Sequence, residues 1–398
     1  MRMIDAIASR FFAAKRFNFI AFAIIAGMVL ITYSNTFTAS FHFDDNPTIV
    51  ENLSIKHFTW GSVLGSFSGT RPVVNLSLLL NYQVSGLNVI GWHIFNIGFH
   101  IVNCIFVFLF FLQTFDLPVL HKQYGNRARQ MALFGALLFG LHPIQTESVT
   151  YIISRTELLA TFFYLATFLL FIKGVRTGKF VFFFGCLFTA LLSMESKEWA
   201  VTLPAMLFIY DYLFLAEGNL KSIFARWRAY ALVSLPWCLV AYVLTTTPLS
   251  GAGFGITGER SITPTTYLLT SFNVLWTYFR LLLIPIHQNL DYSYPVSKTL
   301  FEYPTILSFL GHICVLSVAV CCYIKKKWRL IPFGVVWFYI ALSPTQSFVP
   351  ILDVIFEHRL YLPSIGFVIV FITGFEALSE WLEKIMTRKT GNSVSKIS

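Results

Sequence analysis

The sequence predicts an all-α polytopic membrane protein with ten or eleven membrane helices. Three observations predict it. The 398 residues are 56% hydrophobic and only 12% charged, with a mean hydropathy of +0.68. Long apolar stretches at so low a charge density are membrane spans. Runs of span length recur through the whole chain, near 17–34, 92–113, 131–151, 157–173, 179–194, 199–215, 229–247, 304–324, 330–346 and 359–379. Lys and Arg gather in short connections between them: 114–130, 173–179, 216–228 and 325–329. Under the positive-inside rule these loops and both termini are cytoplasmic.

The first run follows Arg2, Arg10, Lys15 and Arg16. It lacks a small-residue cleavage site and is long enough to span, so it reads as an uncleaved first helix. Residues 35–91 are then the first outer loop. Early in it stands His42-Phe43-Asp44-Asp45-Asn46-Pro47. Carboxylates beside a bilayer are costly. One use for them is to accept a proton from an acceptor hydroxyl; the plainer use is a turn, for which Asp, Asn and Pro are suited. Late in the loop, Arg71 of Gly69-Thr70-Arg71-Pro72 can face a phosphate or pair with Asp44 or Asp45.

The second span opens with Gly91-Trp92-His93 and continues to His100. His93, Asn96 and His100 share one helical face, fit either for a ligand or for bonds between helices. No third ligand at local spacing supports a metal there. The third span ends in Leu141-His142-Pro143-Ile144-Gln145-Thr146-Glu147. Proline turns the chain, leaving His142 and Glu147 as outer site residues or as helix caps. Arg155, in Ser154-Arg155-Thr156-Glu157, brings a planar fork of donors to the fourth span; its alternative is a pair with Glu157. Glu195-Ser196-Lys197-Glu198-Trp199 joins the fifth and sixth spans, and Lys197 is either a phosphate ligand or neutralised by its neighbours.

Residues 265–288 are apolar enough to span but hold Arg280. If they crossed, Lys325 to Lys327 would lie outside. They are expected to form a re-entrant or interfacial helix within an outer loop at 248–303, an eleventh span being the alternative. Glu357-His358-Arg359-Leu360-Tyr361-Leu362-Pro363 leads into the last span, and 380–398 is expected to be a short cytoplasmic tail. The whole chain, 1–398, reads as one integral membrane domain.

The net charge of +10 sets topology and does not point to nucleic acid. Six cysteines, all in apolar stretches, suit buried small hydrophobes rather than a disulfide framework or metal cluster. The basic loops do not explain the mixture of acids and bases at the opposite helix ends. Ionisable groups at that depth are candidates for function. One carboxylate pair beside several cations suits an anionic lipid-linked donor and a hydroxyl acceptor: the cations hold a phosphate leaving group, and a carboxylate activates the nucleophile. No phosphate-binding Gly-rich loop, His-Glu-x-x-His helix or nucleophile elbow points elsewhere.

The ordered strings resemble the membrane half of the transmembrane and tetratricopeptide-repeat O-mannosyltransferases. They are Phe43-Asp44-Asp45-Asn46-Pro47, Arg71-Pro72 with Asn81-Tyr82, His93 through His100, His142-Pro143 through Glu147, Ser154 through Leu159, Lys197-Glu198 and Arg359 through Phe367. The resemblance implies a GT-C-type glycosyltransferase, with its site on the periplasmic face of a bacterial inner membrane or the luminal face of the endoplasmic reticulum. It implies transfer of a hexose, with mannose as the candidate, from a polyprenyl (dolichyl-type) phosphate to a hydroxyl of a protein or glycan, by an inverting displacement. Asp44 takes the position of the catalytic base and Asp45 stands beside it, to assist or to bind acceptor or metal. Arg71, Arg155, Lys197 and Arg359 are the expected phosphate ligands. His93, His142, Glu147, Glu198 and Tyr361 are expected to line the site. No cofactor is implied, and a divalent cation is left open. Two departures stand out. The tetratricopeptide array is not expected in this chain, and the family's His-Pro-x-His is His142-Pro143-Ile144-Gln145 here, which argues against metal at that position. An O-antigen-type polymerase or ligase is the rival enzyme. A lipid or glycan transporter is the rival from another class, expected to show midplane charges and a repeat.

Overall fold

The computed structural model describes residues 2–67, 70–246, 262–326, 328–351 and 353–394. Gly69, Lys327, residues 248–261 of the expected outer loop and the last residues of the tail lie outside them. The described chain is helical throughout, with no strand. Its α-helices run α1 Arg2–Thr32, α2 Trp60–Ser66, α3 Pro72–Ser85, α4 Val89–Phe115, α5 Pro118–Tyr124, α6 Ala128–Leu141, α7 Thr146–Thr150 and α8 Arg155–Thr177. Then come α9 Val181–Met194, α10 Leu203–Tyr210, α11 Leu220–Phe224, α12 Trp227–Thr246, α13 Pro264–Leu283, α14 Tyr303–Ile324, α15 Leu330–Leu342 and α16 Ser364–Val394.

Six helical stretches among the described residues are long and apolar enough to cross a membrane: Ala14–Thr32, Val89–Phe115, Ile152–Thr177, Glu198–Leu215, Tyr303–Ile324 and Ser364–Glu383. Val181–Met194 and Leu330–Leu342 are apolar but shorter. The sequence led us to expect ten or eleven. Part of the difference is where helices stop. The third run was expected to reach 151, yet α6 ends at Leu141. Pro143 cannot donate a ladder hydrogen bond, and the chain breaks there into a 3-10 turn, α7 and a second 3-10 turn, Ile152–Ser154. The last helix starts at Ser364 rather than 359, and Glu357–Leu360 form a 3-10 turn. Residues 142–151 and 353–360 are therefore connecting segments at one end of the bundle, largely buried against it.

The core is built around α4, which packs on α1, α6 and α8. Aromatics interlock there: Phe110, Phe168, Tyr210 and Trp337 meet at centroid separations of 5.3 to 5.7 Å, the range in which edge and offset contacts are favourable. α15 and α16 cross closely. A Cβ on Gly366 would lie 2.4 Å from the Gly334 carbonyl, so only glycine permits that approach.

α13 occupies most of the segment that was hardest to place. Thr263 and Thr266 cap it reciprocally. Its buried side, with Tyr267, Val274 and Tyr278, packs with Phe338 and Leu342. Arg280 turns back to donate to the Ile286 carbonyl at 2.8 Å. α13 is not among the six. The chain beyond it, 284–292, folds over the end of the bundle that holds residues 142–151.

Candidate active site

The acidic motif is held by contacts distant in sequence. Phe43 is left-handed, with φ +46°, a conformation costly for a bulky side chain. After it the two carboxylates part. Asp45 is buried. Its Oδ1 accepts the Ile153 N–H at 2.9 Å and its Oδ2 the His42 N–H at 3.2 Å. It thereby fastens the loop to the start of α8. Burial pushes its carboxyl above the usual range, and the two N–H bonds and the nearby Arg155 charge oppose that shift. Asp44 is exposed. Its backbone N–H donates to the Tyr151 hydroxyl at 3.0 Å, and among the described residues no hydrogen bond reaches its carboxylate.

Beside the pair opens a cavity of about 300 Å³. The acidic loop contributes Asp45 and His42, α7 and the turn after it contribute Glu147 and Tyr151, and the remaining wall is Gln288, Asn289 and Glu357. Glu357 is fixed by three donors: Gln288 Nε2 at 2.6 Å, the Asn289 N–H at 2.8 Å and the Tyr292 hydroxyl. Glu147 accepts the His358 backbone N–H at 2.9 Å, and its other oxygen lies 2.5 Å from His358 Nδ1. Burial lifts the Glu147 carboxyl to about 7, with the same backbone contact and the charges of Lys197 and Arg359 opposing. Burial drives His358 well below the ordinary imidazole range, reinforced by Lys197, so the ring is neutral at pH 7.

The expected phosphate ligands separate into two classes. Arg71 and Lys197 stand at the edge. Arg71 is left-handed, with φ +58°, and its guanidinium makes two bonds to Glu198, at 2.8 and 3.0 Å. Its side chain is 38% exposed and that of Glu198 65%, so the pair is open to solvent and weak. Lys197 Nζ lies 2.7 Å from Glu157 Oε1, and Trp199 Nε1 donates to Glu157 Oε2 at 2.7 Å. Burial lowers the Lys197 pKa; Glu157 opposes that, and Arg71 adds to it.

Arg155 and Arg359 differ from expectation. Arg155 is fully buried. It donates to Asn81 Oδ1 at 2.9 Å and lies 4.3 and 4.9 Å from the Phe95 and Trp92 ring centroids, so its planar fork is spent inside the protein. Arg359 is also buried and donates to the carbonyls of Asp353 at 2.8 Å and Val354 at 3.4 Å. Neither lines the cavity.

The other expected lining residues are likewise sorted. Glu147 lines the cavity, and Glu198 stands with Arg71. His93 contacts the Ala39 carbonyl at 2.9 Å and so holds the base of the acidic loop. His142 caps its own turn by accepting the Ile144 N–H, and contacts the Leu282 carbonyl at 2.9 Å. Tyr361 does not line the cavity. It is fully buried among the helices, with its hydroxyl 2.6 Å from His100 Nδ1 and 3.2 Å from Asn103 Nδ2. Sequence reasoning did not assign Glu157, His358, Tyr151, Glu357 or the Gln288-Asn289 step to the site. Glu157 and His358 were visible as ionisable residues at helix ends. Nothing in the sequence marked Gln288 and Asn289. Among the described residues no three His, Cys, Asp or Glu side chains converge to hold a metal ion.

The comparisons with known proteins agree on one group. The chain is 26% identical over 420 residues to protein O-mannosyl-transferase TMTC4 of Homo sapiens, covering 91% of this chain and 56% of that protein. It is 25% identical to protein O-mannosyl-transferase F38B6.6 of Caenorhabditis elegans, over 89% of this chain and 51% of that protein. It is 30% identical over 223 residues to TMTC2 of Mus musculus, over 51% of this chain and 25% of that protein. The chain thus spans about half the length of the curated relatives it matches over most of its own length. No family profile and no solved structure matches it. Over some nine-tenths of its length, the chain is similar to proteins named protein O-mannosyl-transferases, as its motifs led us to expect.

Proposed function

We propose that this chain transfers a hexose, with mannose as the candidate, from a polyprenyl phosphate to a protein hydroxyl on the non-cytoplasmic side of its membrane. The observation that carries the proposal is the division of labour in the acidic pair. Asp45, which lines the cavity, is consumed in holding the loop, while the exposed Asp44, tied by its backbone N–H to the lining residue Tyr151, has no hydrogen bond to its carboxylate among the described residues. The names of the relatives support the reaction class.

In the proposed step the acceptor oxygen attacks the anomeric carbon as Asp44 takes the hydroxyl proton. The bond from that carbon to the phosphate oxygen breaks on the opposite face, its electron pair leaves with the phosphate, and the configuration inverts. The cavity, walled by hydroxyls, amides and carboxylates, suits a neutral polyhydroxyl ring. Arg71 and Lys197 stabilise the departing phosphate, while Arg155 and Arg359 are held inside the protein. Transfer from polyprenyl-phosphate-mannose or polyprenyl-phosphate-glucose to acceptor peptides tests this in detergent. Wild type is expected to transfer or hydrolyse donor, and folded Asp44→Asn is expected to lose both. Equal behaviour of the two proteins would return Asp44 to the role of a turn residue and bring transport forward.

A further inference from the structure

The cavity and the Lys197–Arg71 corner are joined by a row of ionisable side chains. Glu147 opens on the cavity, and its Oε1 contacts His358 Nδ1. The other ring nitrogen, Nε2, lies 3.9 Å from Glu157 Oε1. That same oxygen is 2.7 Å from Lys197 Nζ. Phe356 stacks on the imidazole with centroids 4.9 Å apart and planes 24° apart, which fixes the ring between its two carboxyl neighbours. From this geometry we infer that Glu147, acting through His358, is a positioning residue whose protonation sets the affinity of the Lys197–Arg71 corner for a phosphate diester. The inference rests on the proposed function for the identity of that ligand.

The physical argument concerns one charge. The Glu147 carboxyl titrates near 7. Below that pH it is neutral and its proton is shared along the hydrogen bond to His358. Above it, a negative charge appears at one end of the row. Lys197 and Arg359 feel that charge, and in a low-dielectric setting it acts over several ångströms. An anionic ligand at the far end then binds less well. The other groups facing Glu147 are accounted for. Asp45 is held by two backbone N–H groups and Glu357 by three donors. Tyr151, one turn along, has its phenol pushed far above neutrality by burial. His42, on the acidic loop, is the remaining imidazole at the cavity and needs a control. The proton exchanges with solvent through the cavity. A phosphate diester keeps a fixed charge across this range, so a change in its binding belongs to the protein.

The test uses the full chain in two arms. In the first, infrared titration of the protein alone follows the protonated-carboxyl band. The expected result is a band lost near pH 7 in wild type and absent at that position in Glu147→Gln. If no such carboxyl titrates near neutrality, the inference fails whatever the enzyme's donor. In the second arm, KM for polyprenyl-phosphate-mannose is measured from about pH 6 to about pH 8. The wild-type KM is expected to rise about fivefold, with kcat changing less. Glu147→Gln should hold the low-pH KM throughout, Glu147→Asp should restore the step, and His42→Gln should retain it. A flat wild-type KM, or an unaltered step in Glu147→Gln, overturns the coupling. If the carboxyl titrates but no donor is turned over, the proposed function has failed and the coupling to a phosphate diester falls with it. In that case the proton-holding pair alone is established.

Discussion

The two ends of the bundle use their charges differently. At the end opposite the cavity, an excess of bases surrounds a few acids, and the paired acids are held by arginines. Asp211, buried on the π-helical turn after α10, accepts two bonds from Arg226, at 2.8 and 2.9 Å, and one from the Tyr230 hydroxyl at 2.8 Å. Arg127 meets Glu376 at 2.9 Å, and Arg176 meets Asp116 at 3.2 Å. At the cavity end, one ion pair runs on into a row of hydrogen-bonding and close contacts. Glu157 faces both Lys197 and His358, and His358 faces both Glu147 and Glu157. The Asp44 carboxylate has no hydrogen-bond partner among the described residues. Ion pairing at a helix end therefore says little about function by itself. Linked acids beside a cavity, with an unspent acid next to them, say more.

Substitutions can break or sharpen this contrast. The largest effect is expected at Asp44. Asp44→Asn should lower kcat about 10³-fold, as loss of a general base does, with little change in unfolding temperature because its carboxylate supports nothing. A strongly destabilised Asp44→Asn would erase the distinction from Asp45. Next comes Arg226→Met at the end opposite the cavity. It leaves Asp211 buried and uncompensated and should cost about 3 kcal/mol of stability, measured by denaturant unfolding in detergent, while transfer per folded molecule stays at the wild-type level. Reduced transfer by the folded fraction would show that the two ends are coupled.

Tyr151→Phe removes the acceptor of the Asp44 N–H. The net worth of such a bond is about 1 kcal/mol, so kcat should fall about fivefold with the unfolding temperature little altered. Glu147 supplies a pH test of stability. Its folded pKa, about 7, lies above the ordinary 4.5. The folded state therefore holds that proton more tightly than the unfolded chain. This contribution is fully present below the unfolded value and is lost as pH rises through about 7. Glu147→Gln should flatten that part of the profile of unfolding temperature against pH. The smallest effect is expected for Arg127→Met. Its side chain is 48% exposed, and loss of its solvent-screened pairs should leave the unfolding temperature within error of wild type.

Much of this was legible in the sequence. The low charge density identified a membrane protein, and the acids and bases at helix ends marked the segments that build the cavity end. What could not be read was the destination of each side chain. Arg155 and Arg71 looked alike as free guanidiniums near acids. The difference is that Trp92, Phe95 and Asn81 surround one, while the other is partly exposed and paired with Glu198. Helical spacing gives the face on which a residue lies, not what packs against it. Tyr361 illustrates the same limit: it follows Arg359 by two positions, yet it enters the core to meet His100 and Asn103. The end of the third run was set too late because hydropathy runs through Pro143 without registering that the helix has stopped.

The close crossing of Gly334 and Gly366 has a consequence for biosynthesis. It seats α16, and the turn before α16 delivers His358 and Arg359 to the cavity end. The residues gathered there run from Ala39 to Arg359. As the chain emerges from the ribosome, its acidic loop is made early and waits. The site is incomplete until α16 has been inserted and docked against α15. A bulky residue at Gly366 should thus yield chains that are inserted and inactive. In such a protein, the docking of one helix pair is also the moment at which the site is completed.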